Sequence, residues 1–369
     1  MKILFLIAEL QAGGAERAIC NLASYLSRHG FDSEIQYAFQ KNVFYTPAPE
    51  VKLTYNPLLR FLRPAALLYI LYWKLFPQKK PDIIISFLWD MNYFSAVLAG
   101  FTDIPVIISE RNDPKQDQEA LILFKRFHNF VPSVSKVVAL SEGAGMQIQK
   151  MFDLPPDKIC VIHNPINNVI SSDATLHKEL PDHFMLAVGR FYPQKGYPRM
   201  LRIFSAVHHC FPQEKLIICG DGPMREEIEK QIQELKLEDS VILAGICKNI
   251  DIYYRNADAM LFTSLFEGQP NVVLEAQSCG CPVIAFDCDY GPSYLIQNGK
   301  TGLVIPDGDE TAMAEAVIKY LKYPEMKKLF RENMPEHLKL FAPEKIYQQW
   351  IDLIQKVTGN EKTELLRSI

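Results

Sequence analysis

The sequence predicts an α/β protein of two domains, each built on a doubly wound parallel β-sheet. Three observations support this prediction. The length of 369 residues exceeds the usual size of one domain. Short continuous apolar runs alternate with longer amphipathic runs, which is typical of strands that are buried on both faces and joined by helices. A polar, turn-rich segment interrupts this alternation near the middle of the chain.

The elements of the first half can be read in order. Its strand-like runs are 3–8, 33–39, 82–87, 105–109, 136–140 and 158–162. Its helical patterns are 15–29, 58–76, 91–100, 117–130 and 142–152. The apolar run at 3–8 is shorter than the core of a signal peptide, so we interpret it as the first strand. Strands that alternate with helices in this way predict a parallel sheet covered on both faces.

The second half repeats the pattern after the polar segment. We predict domains at 1–165 and 184–342 and a linker at 166–183. The amphipathic stretch 346–357 has no strand after it, and we expect residues 343–369 to form a helix that packs back on the first domain. The strand-like runs are 184–189, 215–220, 241–244, 259–262, 282–285 and 301–304, and helical patterns include 224–237, 270–278 and 311–321.

Composition excludes several classes of protein. Hydrophobic residues make up 48% of the chain and charged residues 22%, which excludes a disordered protein. The net charge of −4 has the wrong sign for a dedicated nucleic-acid binder. The 8 cysteines form no paired Cys-x-x-Cys motif and lie mostly in apolar runs. We therefore expect buried free thiols and a reducing, cytoplasmic location.

Two loops that follow predicted strands contain residues that could bind phosphate groups. Gly13 and Gly14 open a helix, where backbone N–H groups and the helix dipole can bind an anion. A tight turn explains two glycines equally well, since the full dinucleotide fingerprint is absent. In the second domain, Arg190 and Lys195 share the loop that begins at Gly189, and two such cations can converge on a diphosphate. A solvated basic loop is the alternative.

The most specific cluster reads Phe266-Glu-Gly-Gln-Pro-Asn-Val-Val-Leu-Glu275. Pro270 suits the first position of a helix. Glu267 precedes this helix and Glu275 lies on its second turn. Because a carboxylate can accept hydrogen bonds from vicinal hydroxyl groups, the spacing suits an extended ligand with a diol at each end.

The chain resembles the retaining glycosyltransferases of GT-B fold and family 4 type. Four motifs in order carry the resemblance: Gly13-Gly14, Gly189-Arg190 with Lys195, Gly220-Asp-Gly-Pro223 and Glu267-x7-Glu275. The resemblance spans essentially the whole chain. It implies an α/β, GT-B architecture of two doubly wound, Rossmann-like domains facing each other across a cleft. It also implies a nucleotide diphosphate sugar as donor, with no metal or other cofactor, because two cationic side chains can replace a metal.

The resemblance assigns roles to the motif residues. Arg190 and Lys195 would neutralise the leaving diphosphate, and Glu267 would hold hydroxyl groups of the donor sugar. Glu275 would bind the ribose diol. The residues expected to contact the donor are Gly14, Gly189, Gly268, Gln269, Pro270, Asn271, Glu275, Ile246 and Cys247.

The sequence departs from the family pattern at one position. Members often place a histidine after the strand that here ends at Ser109, whereas this chain has Arg111. An arginine cannot act as a base near neutral pH, so we expect Arg111 to orient the sugar or to pair with an acidic acceptor. Asp287-Cys-Asp289 resembles the Asp-x-Asp motif of metal-dependent transferases, but its context differs and we assign no metal to it.

Residues 51–81 are basic and aromatic, with no acidic side chain. The apolar stretch 65–71 lies within them and is too short to span a bilayer. This pattern is typical of an interfacial membrane anchor, and an ordinary core helix with basic flanks is an equal alternative. Its candidate contacts with membrane or acceptor are Arg60, Arg63, Trp73 and Lys74.

The predicted function is transfer, with retention, of a hexose or N-acetylhexosamine from a nucleotide diphosphate sugar to a lipid-linked saccharide in surface glycan biosynthesis. UDP is expected from the resemblance alone, and the anchor would place the enzyme at the inner face of the cytoplasmic membrane. A sugar-nucleotide epimerase and a catalytically silent nucleotide- or glycan-binding protein are alternatives. A nicotinamide oxidoreductase is disfavoured by the missing glycine fingerprint.

Overall fold

The computed structural model describes residues 1–11, 13–39, 43–111, 128–167 and 180–359, apart from the side chain of Arg63. The chain forms two compact units. The first consists of Met1–Asn164 with Glu344–Ile369, and the second of Pro165–Pro343. Most of the predicted linker at 166–183 and of the predicted helix at 117–130 lies outside the described residues.

The first unit contains a wholly parallel sheet. Its strands in the described residues are β1 Lys2–Ile7, β2 Asp32–Tyr37, β3 Lys52–Tyr55, β4 Ile83–Phe87, β5 Val106–Ser109, β6 Lys136–Ala139 and β7 Ile159–Val161. Their order is β3-β2-β1-β4-β5-β6-β7, and each neighbouring pair is parallel. The sequence did not predict β3, which has four residues at the sheet edge, three of them only partly buried.

The helices described before the crossover to the second unit are α1 Gly14–Arg28, α2 Leu62–Leu75, α3 Trp89–Phe101 and α4 Glu142–Phe152. The side chain of Ser141 caps α4 by accepting a hydrogen bond from the backbone N–H of Ala144. The prediction of one helix over 58–76 was wrong at its start. Asn56 caps a separate 3₁₀ turn at Pro57–Arg60, and the backbone leaves helical geometry at Phe61 before α2 begins.

The second unit contains a parallel sheet and six described helices. Its strands are β8 Phe184–Val188, β9 Lys215–Cys219, β10 Val241–Gly245, β11 Ala259–Phe262, β12 Val283–Asp287 and β13 Gly302–Pro306. Its helices are α5 Tyr197–Cys210, α6 Arg225–Glu234, α7 Ile250–Asn256, α8 Asn271–Ser278, α9 Glu310–Lys322 and α10 Pro324–Leu338. The strand order is β10-β9-β8-β11-β12-β13. Both units are Rossmann-like, which confirms the predicted fold class.

A last helix, α11 Pro343–Thr358, belongs to the first unit from Glu344 onward. Ile346, Trp350 and Ile354 are buried in the same apolar cluster as Phe5 of β1. Their spacing of four residues places them on one face of the helix. A fully buried side chain of this size contributes about 2 kcal/mol, so α11 is an integral part of the first core.

Because the strands within each sheet are parallel, the loops that follow them lie at one edge, the carboxyl edge. In the second sheet the strand order reverses between β8 and β11, since β9 and β10 lie on one side and β12 and β13 on the other. In open α/β sheets, ligands bind outside the carboxyl ends of the strands at such a switch point. A ligand of the second unit is therefore expected at the residues that follow β8 and β11.

Candidate active site

The loop after β8 is held against the end of β11 by backbone and hydroxyl contacts. The Tyr197 hydroxyl donates to the carbonyl of Gly189 at 2.7 Å, and the Thr263 hydroxyl donates to the carbonyl of Lys195 at 3.2 Å. Gly196 has φ +64°, and a Cβ at this position would collide with the carbonyl oxygen of Thr263. Only glycine permits both the conformation and the close approach. The loop therefore presents Lys195 at a fixed position.

Lys195 and Glu267 form a largely buried ion pair. The Lys195 Nζ donates to the Glu267 Oε1 at 2.6 Å, with side-chain exposures of 17% and 9%. Gln194 connects the same two loops. Its side-chain amide donates to the Phe266 carbonyl, and its backbone carbonyl accepts from the backbone N–H of Leu265. The structure thus brings together two of the residues predicted to contact the donor. Withdrawal from water strengthens such a charge-assisted hydrogen bond.

The Glu267 carboxylate affects the pKa of two neighbouring side chains. Burial, followed by the negative charge of Glu267, raises the pKa of Tyr294 well above its ordinary value and raises the pKa of Cys288 to about 12. Both groups therefore stay neutral near pH 7. The Tyr294 hydroxyl donates to the carbonyl of Gly268 at 3.5 Å, which supports the loop between Glu267 and α8.

The predicted helix start at Pro270 is shifted by one residue. Pro270 is the capping residue, and α8 begins at Asn271. Gln269 and Glu275 are buried, each with polar interactions. Burial and then the Glu275 carboxylate raise the pKa of Tyr254 well above its ordinary value. Both predicted carboxylates therefore lie in the interior at the switch-point end of the sheet.

Arg190 lies at the surface, at the start of the loop that ends in Lys195. Its guanidinium carbon is 5.1 Å from the centre of the Tyr192 ring, a cation–π distance. The loop therefore carries one cation in a buried pair and a second cation that is exposed to solvent. The predicted joint contact of Arg190 and Lys195 with a diphosphate stays a prediction.

Two further loops approach the same edge. The backbone N–H of Gly220 donates to the Gly245 carbonyl at 2.7 Å, and a Cβ on Gly220 would collide with the carbonyl oxygen of Gly189. After β10, the side chain of Ile246 is 82% exposed and Cys247 is half-buried. The hydrogen bond to the Cys219 thiol lowers the pKa of Cys247. An exposed apolar side chain at this point is available for a flat ligand, as the predicted base contact requires.

Arg199 was not predicted, yet it organises the loop after β11. Its guanidinium donates to the carbonyls of Thr263 and Ser264 at 2.7 and 2.6 Å and to the Asp307 carboxylate at 2.8 Å. It also lies 4.3 Å from the centre of the Phe286 ring. One signal was present in the sequence. A cation in the first turn of a helix opposes the helix dipole, so it needs a compensating role.

In the first unit, Gly13 is the capping residue of α1 and Gly14 is its first residue. The carboxylate of Glu16 folds back over Gly13, at the position that a Cβ on that glycine would occupy. A negative charge at this position complements the helix dipole. Gly14 is therefore at a helix N-terminus, as predicted, and its contact with donor phosphates stays a prediction.

Arg111 lies just beyond β5 and is buried. Its Nη1 donates to the Asn164 side-chain oxygen at 2.6 Å, and its guanidinium carbon lies 4.0 Å from the Phe87 ring centre and 5.8 Å from that of Trp350. Burial lowers the pKa of Arg111 to about 9, so the side chain remains protonated at neutral pH. Arg111 thus connects β4, Asn164 and α11. Its predicted role toward sugar or acceptor stays a prediction.

The residues predicted to meet a membrane or acceptor differ from one another. Trp73 requires a correction, since it is 6% exposed and packs edge-on against Tyr69 in the interior. Arg60 is exposed and donates to the Ala38 carbonyl and the Tyr55 hydroxyl. Lys74 is exposed on α2, and the side chain of Arg63 lies outside the described residues.

Three further expectations concern cysteines, metals and membrane spans. All eight cysteines are free. The expectation of buried thiols is confirmed for Cys20, Cys219, Cys281 and Cys288, whereas Cys210 is exposed. The described residues contain no group of three or more His, Cys, Asp or Glu side chains that could hold a metal ion. Within the same ranges, each helix is too short or too polar to cross a bilayer.

Two family models match successive parts of the chain. Residues 12–168 match the model described as Glycosyltransferase Family 4, and residues 171–337 match the model described as Glycosyl transferases group 1. The two matches meet close in sequence to the division between the two structural units, which falls between Asn164 and Pro165.

Two curated relatives come from Campylobacter jejuni. The chain is 26% identical to N-acetylgalactosamine-N,N'-diacetylbacillosaminyl-diphospho-undecaprenol 4-alpha-N-acetylgalactosaminyltransferase, with 94% of this chain and 97% of the relative aligned. It is also 26% identical to GalNAc-alpha-(1->4)-GalNAc-alpha-(1->3)-diNAcBac-PP-undecaprenol alpha-1,4-N-acetyl-D-galactosaminyltransferase, with coverages of 97% and 99%. Both alignments span nearly the full length of each protein.

A solved structure supports the same fold. The Anabaena protein Alr3699/HepE, crystallised with UDP and glucose, superimposes with a TM-score of 0.79 at 19% sequence identity. The superposition covers 96% of this chain and all of that one. At this identity the likeness establishes the fold.

Proposed function

We infer the activity of this chain from the family to which it belongs, the GT-B glycosyltransferases of family 4 type. In the proposed reaction it transfers a hexose or N-acetylhexosamine from a UDP-sugar to a lipid-linked saccharide. The transfer retains the anomeric configuration and needs no metal. The observation that supports this proposal most directly is the 2.6 Å ion pair between Lys195 and Glu267. It lies on the loops after β8 and β11, at the switch point of the second sheet, where this fold class binds its ligands.

The chemistry of the proposed reaction fits the residues on these loops. When the bond between the sugar and the diphosphate breaks, negative charge develops on the diphosphate. In the proposed complex, Lys195 and Arg190 stabilise that charge, and a preorganised cation in a water-poor site does so more effectively than one in water. In the proposed complex, the buried Lys195 and the exposed Arg190 together supply the charge that a divalent metal supplies in other transferases. The proposal is therefore metal-independent.

The two carboxylates would hold the opposite ends of the donor. Glu267 accepts hydrogen bonds from sugar hydroxyl groups while it keeps Lys195 charged and in place. Glu275, on the second turn of α8, accepts from the ribose diol, and the exposed Ile246 with Cys247 contacts the base. The backbone from Gly268 to Asn271 then faces the sugar. A carboxylate rather than an amide suits a diol because it offers acceptor sites on both oxygens.

The choice of nucleotide, stereochemistry and acceptor draws on the comparisons. The structure of HepE contains UDP, and both Campylobacter relatives are named as alpha-transferases acting on undecaprenol-linked saccharides. An alpha product formed from an alpha-linked UDP-sugar retains configuration. A lipid-linked acceptor is confined to a bilayer, so we place the reaction at the cytoplasmic membrane surface, in surface glycan biosynthesis.

The decisive experiment measures nucleotide release. The purified chain is incubated with a panel of UDP-sugars and a lipid-linked saccharide extract, and released UDP is quantified. We expect acceptor-dependent release with one donor, and a loss of about 100-fold or more in Lys195→Ala. Lys230→Ala, which changes an exposed lysine on α6, is the matched control. Equal release by Lys195→Ala and the unaltered chain would refute the proposed site.

Three further readouts test the finer assignments. Full activity in excess EDTA is expected, and activity restored only by a divalent ion would contradict metal independence. The anomeric proton coupling in the NMR spectrum of the product reports retention or inversion. A changed sugar without net release of UDP would instead identify the epimerase alternative.

A further inference from the structure

Helix α2 presents an apolar face to solvent. Leu67, Leu68, Leu71 and Leu75, here called the leucine face, have exposures of 67%, 51%, 54% and 64%. Leu67, Leu71 and Leu75 follow one another at intervals of four residues, so they form a row along one side of the helix. Soluble proteins rarely leave such a contiguous apolar row open to water, and when they do it usually marks an interaction surface.

The opposite side of α2 is firmly attached to the first unit. Ala65, Ala66 and Trp73 are buried, and Tyr69 packs edge-on against Phe94 of α3 at 5.6 Å. The Tyr69 hydroxyl accepts from the Asn56 amide at 2.7 Å and also bonds to Gln36 of β2. Because these contacts fix the rotation of α2 about its axis, the leucine face has a defined outward direction.

The segment that carries the leucine face is basic. Residues 51–81 contain no acidic side chain. Two of the nearby cations are paired with other elements, since Lys80 bonds to Asp103 and Lys52 to Glu34 at 3.0 Å. Lys74 and Lys79 are exposed beside the leucines. Aromatic side chains at both ends of α2, Phe61 and Phe76, are 64% and 44% exposed, as is common where a helix lies between water and hydrocarbon.

The length of α2 determines how such a helix can meet a bilayer. Its 14 residues correspond to about 21 Å at 1.5 Å per residue, short of the ~30 Å of a hydrocarbon core. The helix therefore cannot span, but it can lie in the plane of the interface with its leucines in the acyl region and its lysines among the headgroups. Anionic headgroups attract lysines within a Debye length of the surface.

We propose that the leucine face of α2, with Lys74 and Lys79, is the surface by which the first unit docks on an anionic membrane. This proposal names the membrane partner of the proposed function and takes from it only the reason for docking. The lysines favour anionic lipid over a second copy of the chain, because pairing two such faces would bring like charges together. The apolar row then accounts for retention on the surface once the charges have attracted the protein.

Vesicle co-sedimentation of the full chain tests this proposal. The probes are vesicles of phosphatidylcholine with phosphatidylglycerol, and of phosphatidylcholine alone, at low and at high salt. We expect binding to the mixed vesicles at low salt, and a loss of about tenfold or more in Leu71→Glu. Leu329→Glu is the matched control, because Leu329 is a similarly exposed leucine on α10 of the other unit. Equal binding by Leu71→Glu and the unaltered chain would overturn the proposal.

Two more measurements separate the remaining outcomes. The double variant Lys74→Gln with Lys79→Gln should lose its preference for anionic vesicles, whereas Lys230→Gln with Lys328→Gln, two exposed lysines of the second unit, should keep it. If Leu71→Glu instead converts a dimer in solution to a monomer, the face is a contact between copies and the membrane proposal falls. Binding of UDP, measured in parallel, should be the same in Leu71→Glu and the unaltered chain. A chain that binds UDP but no vesicles refutes docking alone, and one that binds vesicles but no UDP refutes the donor site alone.

Discussion

Carboxylates and cationic side chains meet at both the carboxyl edge and the amino edge of the second sheet, where the strands end and begin, but they compensate each other differently. At the carboxyl edge, the Glu267 carboxylate has Lys195 at 2.6 Å. At the amino edge, Asp258 bonds to Lys327 at 2.5 Å and to His183 at 3.2 Å. The buried Glu214 lies near the same groups, and burial followed by repulsion from Asp258 raises its pKa to about 7.

The two ends of the sheet differ in how completely their buried charges are compensated. At the carboxyl edge, where Gly196 and Gly220 allow the loops to approach closely, the Glu267 carboxylate and the Lys195 ammonium group balance each other. At the amino edge a second carboxylate competes for the same cations, and the Glu214 Oε1 is buried without a hydrogen-bond partner in the described structure. Burying a carboxylate costs free energy unless a partner compensates it. The first arrangement suits ligand binding, and the second lowers stability near neutral pH.

The largest effect is expected from Glu267→Gln. The change keeps the shape of the side chain, removes its charge and leaves the buried Lys195 without its ionic partner. Turnover of the UDP-sugar should fall by about 100-fold or more. The melting temperature should fall as well, because the buried ammonium group loses its compensating charge. Steady-state kinetics and a thermal melt measure both quantities. Glu226→Gln, at an exposed site on α6, serves as the control, and an unchanged kcat would argue that Glu267 has only a packing role.

A stability change is expected from Glu214→Gln at the other edge. The pKa of Glu214 in the folded chain, about 7, lies above its ordinary value of 4.5, so the folded state favours the protonated carboxyl. The stability that Glu214 contributes is present below about pH 4.5 and is lost as the pH rises through 7. Glutamine cannot ionise, so the variant should gain stability relative to the unaltered chain as the pH rises through this range, by about 3 kcal/mol at pH 8.

Urea unfolding at pH 5 and pH 8 measures that gain. Glu238→Gln, at an exposed carboxylate before β10, is the control. Nucleotide release should be unaffected by Glu214→Gln. A difference in unfolding free energy that is equal at both pH values would show that Glu214 does not titrate in this range.

A smaller effect is expected from Arg199→Lys. The guanidinium donates to two backbone carbonyls and a carboxylate at once, whereas an ammonium group cannot reproduce that fork. The loop that carries Glu267 should loosen, and kcat/KM should fall by about tenfold, mainly through kcat, because the cations that bind the donor are unchanged. Arg202→Lys, on the next turn of α5, is the control. A purely structural role for Arg199 would lower the melting temperature without affecting kcat.

The sequence predicted the strands and the motif residues better than the residues that hold the site loops in place. Continuous apolar runs identify buried strands because a parallel sheet covered on both faces needs them, and this holds for β1 and β4 as for β8. The pattern failed at β3, where a four-residue edge strand buries too little to show. Glu267 and Lys195 were found because they follow predicted strands and fit a motif. Arg199 was missed because its partners are mainly backbone carbonyls, which form no side-chain motif, and its place in the first turn of a helix was the only signal identified above. Trp73 was misplaced because a tryptophan among leucines suits an interior as well as an interface.

The return of α11 to the first unit has a consequence for biogenesis. The ribosome releases the strands of that unit first, but Ile346, Trp350 and Ile354 leave the exit tunnel only after the entire second unit has been made. Until then the nascent first unit lacks a cover for part of its core. The second unit, being contiguous in the chain, is able to mature before its predecessor does, which reverses the usual order of N-terminal domain first. During that interval the uncovered apolar surface is exposed to chaperones and to other nascent chains.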